Sequence, residues 1–124
     1  MLIFNHKDIE SESFVAVKNI EDINNYSSQN IALLSQFNEP YELAKYCKEQ
    51  DITYAIRAKS IKDALFANAL NANYIIADLN LAKNLQKIAT EYLFDSKILA
   101  IISNDLELEE AALNSIDGVI YNFN

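Results

Sequence analysis

Short aliphatic runs recur along this chain at a nearly constant interval, and that interval constrains the fold more than any other feature. Ile31 to Leu34, Ile52 to Ile56, Tyr74 to Ala77, Ile98 to Ile102 and Val119 to Tyr121 have centres about 20 to 25 residues apart. Each run is apolar almost throughout, where a half-exposed strand would alternate, so both faces are expected to be buried, as in parallel sheets. The interval holds one strand, a helix of about three turns and two short connections, and little else. Between the runs, apolar residues return at helical spacing, which gives the βαβα order of a parallel α/β sheet.

Helix start signals fall in the same phase. Pro40 stands at the first, Ser60-Ile-Lys-Asp63 at the second, Asn80 at the third and Asn104-Asp-Leu-Glu107 at the fourth, and each is a residue type that satisfies or tolerates the free N–H groups of a first turn. The third helix places Leu81, Leu85, Ile88, Ala89 and Tyr92 on one stripe and Lys83, Gln86, Lys87 and Glu91 on the other side. Ile61, Ala64, Leu65 and Asn68 form the expected packing stripe of the second helix, and Leu108, Ala111, Ala112 and Ile116 that of the fourth. Residues 58–76 and 103–120 share one order of strand end, cap, helix, small polar turn and aliphatic strand, a repeat of about 45 residues, or two βα units.

The predicted architecture is a single α/β domain over residues 1–124: a mainly parallel sheet of about five strands with helices on both faces. Residues 1–30 form an N-terminal extension and residues 31–124 the repeated βα units. In the extension, Leu2 to Phe4 and Phe14 to Val17 read as short strands and Ile20 to Ile23 as the opening of a short helix, either a hairpin or an extra βα unit.

Ten Lys and Arg against eighteen Asp and Glu give a net charge of −8. That balance repels the phosphates of nucleic acid and anionic lipid, so neither is an expected partner. One cysteine, Cys47, and one histidine, His6, leave no disulfide pair and no Cys/His zinc set. No apolar run approaches the roughly 18 residues of a membrane span, and the N-terminus lacks a basic start followed by a long apolar stretch. A cytoplasmic location is expected on these grounds.

The stretch Asn30 to Tyr121 resembles a response-regulator receiver domain, of flavodoxin-like fold. Asn73-Tyr-Ile-Ile-Ala-Asp78-Leu-Asn resembles the strand that ends in the phospho-accepting Asp, and Ile98-Leu-Ala-Ile-Ile-Ser103 the strand that ends in a Ser or Thr. The resemblance implies those roles for Asp78 and Ser103. It stops there: Ser35-Gln36-Phe37 stands where receivers carry the acidic pair that holds magnesium, and Tyr121-Asn122 where they carry a Lys. A receiver so altered lacks the magnesium-assisted route to phosphorylation. The same units also resemble half of a phosphate-binding (β/α)8 barrel, through turns such as Asn71-Ala-Asn-Tyr-Ile-Ile and Ser115-Ile-Asp-Gly-Val-Ile. The two resemblances imply different strand orders, 2-1-3-4-5 for the receiver and sequential, with an open edge, for the half-barrel.

Ligands of open parallel sheets sit beyond the carboxyl ends of the strands. Those ends present Ser35, Gln36, Asn38, Arg57, Lys59, Asp78, Asn80, Ser103, Asn104, Asp105 and Asn122. Arg57 is the one arginine of the chain; its fork suits a carboxylate or phosphate, and its plain alternative is a salt bridge to Asp78 or Glu39. Asp78 either serves as a base, or holds a cation with Asp105, or caps the helix that follows. Arg57, Asp78, Ser103 and Asp105 are therefore the candidate ligand-binding residues. Ser60 and Ser103 have no histidine partner in any motif, and Cys47 belongs to a sheet-facing helix side, so no catalytic nucleophile is expected.

A single glycine, Gly118, cannot build the glycine-rich phosphate loops of nucleotide enzymes, so no cofactor and no metal are expected. The expected function is a non-catalytic protein-interaction or assembly domain, self-associating as a homodimer or joining a larger complex. The alternative is a small-anion binding protein or enzyme of half-barrel type. Seven tyrosines at element edges are read as the rim of the core and partly as an interface.

Overall fold

The structure, a computed structural model, describes residues 1–25, 30–34 and 41–123. Its strands are β1 (Leu2–Phe4), β2 (Phe14–Val17), β3 (Ile31–Leu34), β4 (Tyr54–Arg57), β5 (Tyr74–Asp78), β6 (Lys97–Ile102) and β7 (Gly118–Tyr121). Its helices are α1 (Ile20–Asn25), α2 (Tyr41–Glu49), α3 (Ile61–Ala69), α4 (Leu79–Glu91) and α5 (Asp105–Leu113). The expected position of Pro40 at the start of α2 lies outside the described residues.

All seven strands belong to one parallel sheet in the order β1-β7-β6-β5-β4-β3-β2. From β2 to β7 the order is sequential, and β1 completes it beside β7, with Leu2 opposite Gly118 and Phe4 opposite Ile120. This corrects the expected count of about five strands: the two short runs near the N-terminus are full members of the sheet, at its opposite ends. It also corrects the receiver-like order, since sequential neighbours are what the half-barrel arrangement implied. Phe14–Val17 and Ile20–Asn25 are the strand and helix of an extra βα unit rather than half of a hairpin, since β2 pairs with β3 in parallel.

Two apolar layers sort by strand alternation. On one face Leu34, Tyr54, Ile56, Ile75, Ile98, Ile102 and Val119 pack with the helix residues Ile23, Ala44, Cys47, Ala64, Ala67, Ala82, Leu85, Ala89 and Ala111. On the other, Phe4, Ile31, Leu33, Ala55, Ile76, Leu99 and Ile120 pack with Phe14, Tyr74, Ile101 and Phe123, and among the described residues no helix contributes. The helices therefore cover one face only, against the expectation of both. The second face is buried because the sheet curls on itself. Phe4 of β1 and Phe14 of β2, at the two ends of the strand order, meet with ring centroids 5.1 Å apart, and Tyr74 lies 5.4 Å from Phe4 and 6.1 Å from Phe14. The edges thus close through side chains, with no hydrogen-bonded ladder between β1 and β2.

The helix ends repeat one device. Asp51, Asn71, Leu93 and Ser115, spaced 20, 22 and 22 residues apart, all adopt left-handed backbone, with φ of 55°, 63°, 54° and 57°. In each case that residue's N–H bonds back three residues, to Lys48, Asn68, Thr90 and Ala112, and the next N–H bonds back five, to Cys47, Ala67, Ala89 and Ala111. This is the Schellman motif, built four times without glycine. The four residues whose carbonyls accept the longer bond all carry small buried side chains, which lets each helix terminus lie close on the sheet. The true repeat is thus one βα unit, half the period the sequence suggested.

Two helix faces differ from the periodic reading. In α4, Gln86 is buried at 6% exposure and Tyr92 is exposed. The reason is a hydrogen bond: Gln86 Oε1 accepts from the Asp117 N–H at 2.9 Å and ties α4 to the turn before β7. In α3 the buried residues are Ala64 and Ala67, while Ile61, Leu65 and Phe66 face outward.

Candidate functional site

The carboxyl ends of the strands form one rim of the curled sheet, and the four residues singled out from the sequence all stand on it. Arg57 continues the inward alternation of Ala55 at the end of β4. Its guanidinium carbon lies 5.7 Å from the centroid of the Phe123 ring, a cation–π contact. Among the described residues no carboxylate pairs with it; the one ion pair is Lys83 with Glu110. The expected partner Asp78 is engaged elsewhere, and Glu39, with Ser35, Gln36 and Asn38, lies outside the described residues.

Asp78 ends β5 and caps α4, its Oδ1 accepting from the Leu81 N–H at 2.9 Å. The cap is Asp78 and not Asn80, which lies one residue inside the helix. Ser103 donates its backbone N–H to Glu107 Oε1 at 2.8 Å, while Glu107 returns its own N–H to Asn104 Oδ1 at 3.0 Å. The two carboxamide and carboxylate groups start α5 as a reciprocal cap. Asp105 accepts from the Tyr121 hydroxyl at 2.9 Å. Burial, and then this bond to Asp105, push the Tyr121 phenol above its ordinary range. Asp78 and Asp105 are thus each fixed to a different neighbour. Among the described residues, no three His, Cys, Asp or Glu side chains stand together as a metal-holding group.

What the sequence reading missed is the recess beside them. A cavity of about 230 Å³ opens where the ends of β1 and β7 face the approach to β2. Phe4, Leu33 and Ile120 form its floor, and Asn5, Ser11, Glu12, Ser13 and Asn122 its polar wall, with Phe14 and Phe123 flanking. Asn5 and Asn122 turn the chain out of β1 and β7 in left-handed backbone, at φ 66° and 51°. The first is held by a bond from its Nδ2 to the Tyr121 carbonyl at 2.7 Å, and the second by its N–H to the Ile102 carbonyl at 2.8 Å. An Asn directly after each of two apolar strands was the available signal, since Asn tolerates this conformation. Glu12 also acts inward: burial, and then the Glu12 charge, raise the Tyr74 phenol, so Tyr74 keeps its proton.

A larger cavity, about 420 Å³, opens at the opposite rim between the ends of α2 and α3 and is lined by Cys47, Asn68, Asn73 and Lys97 among others. Its polar groups hold the frame. Asn73 Oδ1 accepts from the Tyr54 N–H at 3.1 Å, Asn68 Oδ1 from the Ser96 hydroxyl at 3.2 Å, and the buried Tyr54 hydroxyl donates to the Leu70 carbonyl at 2.6 Å. Burial raises the Cys47 thiol to about 11, which keeps it a thiol at neutral pH.

Among the described residues no helix is long and apolar enough to cross a membrane. In sequence comparisons no protein-family model matches the chain, and no curated protein matches it.

Proposed function

We propose that this domain binds a small organic anion in the recess at the carboxyl-end rim. The observation that carries the reading is Arg57. It is held on the inward side of that rim against Phe123, which also lines the recess, and no described carboxylate neutralises it. An apolar floor of Phe4, Leu33 and Ile120 with a few convergent polar groups is the usual make-up of a small-ligand site. The sequential strand order supports the same reading, because barrel-like parallel sheets use this rim for ligands. Asp78 and Asp105 serve the caps and contacts described above, so the role proposed is binding rather than turnover.

The test is thermal unfolding of the wild type and of Arg57→Met, with inorganic phosphate and with benzoate up to tens of millimolar at constant ionic strength. A bound anion raises the wild-type melting temperature by mass action and leaves the variant unmoved. Equal shifts in both proteins, or none in either, refute the reading. A second reading, self-association through protein contact, is favoured by the exposure of Leu93, Leu106 and Leu113.

A further inference from the structure

The outward stripe of α5 and the cleft between α2 and α3 are complementary, and they lie on different helices of the same chain. On α5, Leu106 is 77% and Leu113 86% exposed. Seven residues separate them, so they share one helix face about 10 Å apart. Glu109 stands between them, exposed. The other acids of this helix already have partners: Asp105 takes the Tyr121 hydroxyl, Glu107 the Ser103 N–H, and Glu110 pairs with Lys83. The stripe is therefore apolar at both ends with one uncommitted negative charge at its middle.

The cleft has the opposite character. About 390 Å³ of space opens over Phe66, Ala69 and Leu70, with Lys45 on its edge. Lys62 lies over the Phe66 ring at 5.4 Å, and Lys48 reaches the Ala69 carbonyl at 3.5 Å. Leu65 and Ile61 extend the apolar face along α3. Lys45 thus lines the apolar cleft, and Lys62 and Lys48 each contact one of its lining residues, in a chain with net charge −8. Glu42 and Glu49 also stand on α2, but neither lines it.

We infer that α5 of one copy docks in the α2–α3 cleft of a second copy, Leu106 and Leu113 against Leu65, Phe66 and Leu70, with Glu109 among the lysines. This deepens the self-association reading and is independent of the recess. Sheet order sets α3 over β4 and β5 and α5 over β6 and β7, so the two surfaces of one molecule face different ways. The contact is heterologous, and it propagates head to tail. A stripe of two helical turns is well below the roughly 800 Å² per partner of a stable interface, so the association is weak and is sought at high protein concentration.

The experiment is sedimentation velocity of the full chain from ten to several hundred micromolar. Leu106→Asp/Leu113→Asp blocks the stripe, and Lys45→Glu/Leu65→Asp blocks the cleft. All four positions are exposed, and circular dichroism verifies that both variants fold. The wild type is expected to sediment faster as concentration rises, and each variant alone to lose at least tenfold in association. An equimolar mixture of the two variants is expected to form a species of two chains and nothing larger, because one sound stripe meets one sound cleft. A mixture that stays monomeric overturns the inference. So does wild-type association that persists in both variants, which would leave self-association standing with other surfaces. A wild type that is monomeric throughout overturns both.

Discussion

Whether the sheet closes on itself can be measured through one pair of rings. Phe4 and Phe14 sit on strands at opposite ends of a seven-strand order, and six interstrand steps of about 4.8 Å would separate them by about 29 Å if the sheet were open. Residues that far apart contribute to stability additively, within about 0.3–0.5 kcal/mol. In the curled sheet their centroids are 5.1 Å apart and tilted by 60°, a geometry in which aromatic pairs contribute about 0.5–1.5 kcal/mol beyond their burial. The perturbation is a double-mutant cycle of Phe4→Leu and Phe14→Leu, chosen to keep most of the apolar volume so that all four proteins fold. Urea unfolding followed by circular dichroism gives each free energy. The expected coupling is about 1 kcal/mol, together with unchanged m-values. Additive single mutants would refute the closure, and with it the burial assigned to the inner face.

Two glycine substitutions should act in opposite directions. Leu93→Gly relieves a left-handed leucine that is 85% exposed and so has little packing to lose; a gain of about 1 kcal/mol is expected in the same urea assay. Gly118→Ala places a Cβ 2.8 Å from the Leu2 carbonyl oxygen and 2.7 Å from Leu99 Cδ2, and a loss of about 1–3 kcal/mol is expected from overpacking at the β1–β7–β6 junction. Alkaline pH should destabilise the fold through Cys47. Its thiol rises from 9.0 to about 11 on folding, so the folded state holds the proton longer, and the contribution is complete below pH 9 and lost as pH climbs through 11. Denaturation midpoints of wild type and Cys47→Ala across that window check it, the variant showing the shallower decline.

The strands were legible in the sequence, down to Leu2–Phe4 and Phe14–Val17, because uniform apolar runs at a fixed interval leave few alternatives. What covers them was not legible. An apolar run such as Ile31 to Leu34 reports that both faces avoid water, and it reads the same whether the second face meets helices or other strands. The helix faces failed where a single hydrogen bond outweighed periodicity, at Gln86, and where alanines did the packing and left larger residues outside, at Ile61 and Leu65. Asp78 and Asn104 were legible as cap-forming chemistry. The recess was not, since it joins Asn5 and Ser11 to Asn122 across the whole length of the chain.

The pairing of β1 with β7 also has a kinetic consequence. Neighbouring strands from β2 to β7 are separated by about one βα unit, whereas Leu2 and Gly118 stand 116 residues apart. Loop-closure entropy rises with the logarithm of that separation, so bringing these two together costs about 1.5 kcal/mol more than pairing adjacent units. Local units are therefore favoured to assemble first and the N-terminal strand to dock last, sealing the inner core as it arrives. In the folded protein the same strand is the natural first point of opening. Its amides would exchange with solvent through a local release, while those of β5 and β6 wait for global unfolding.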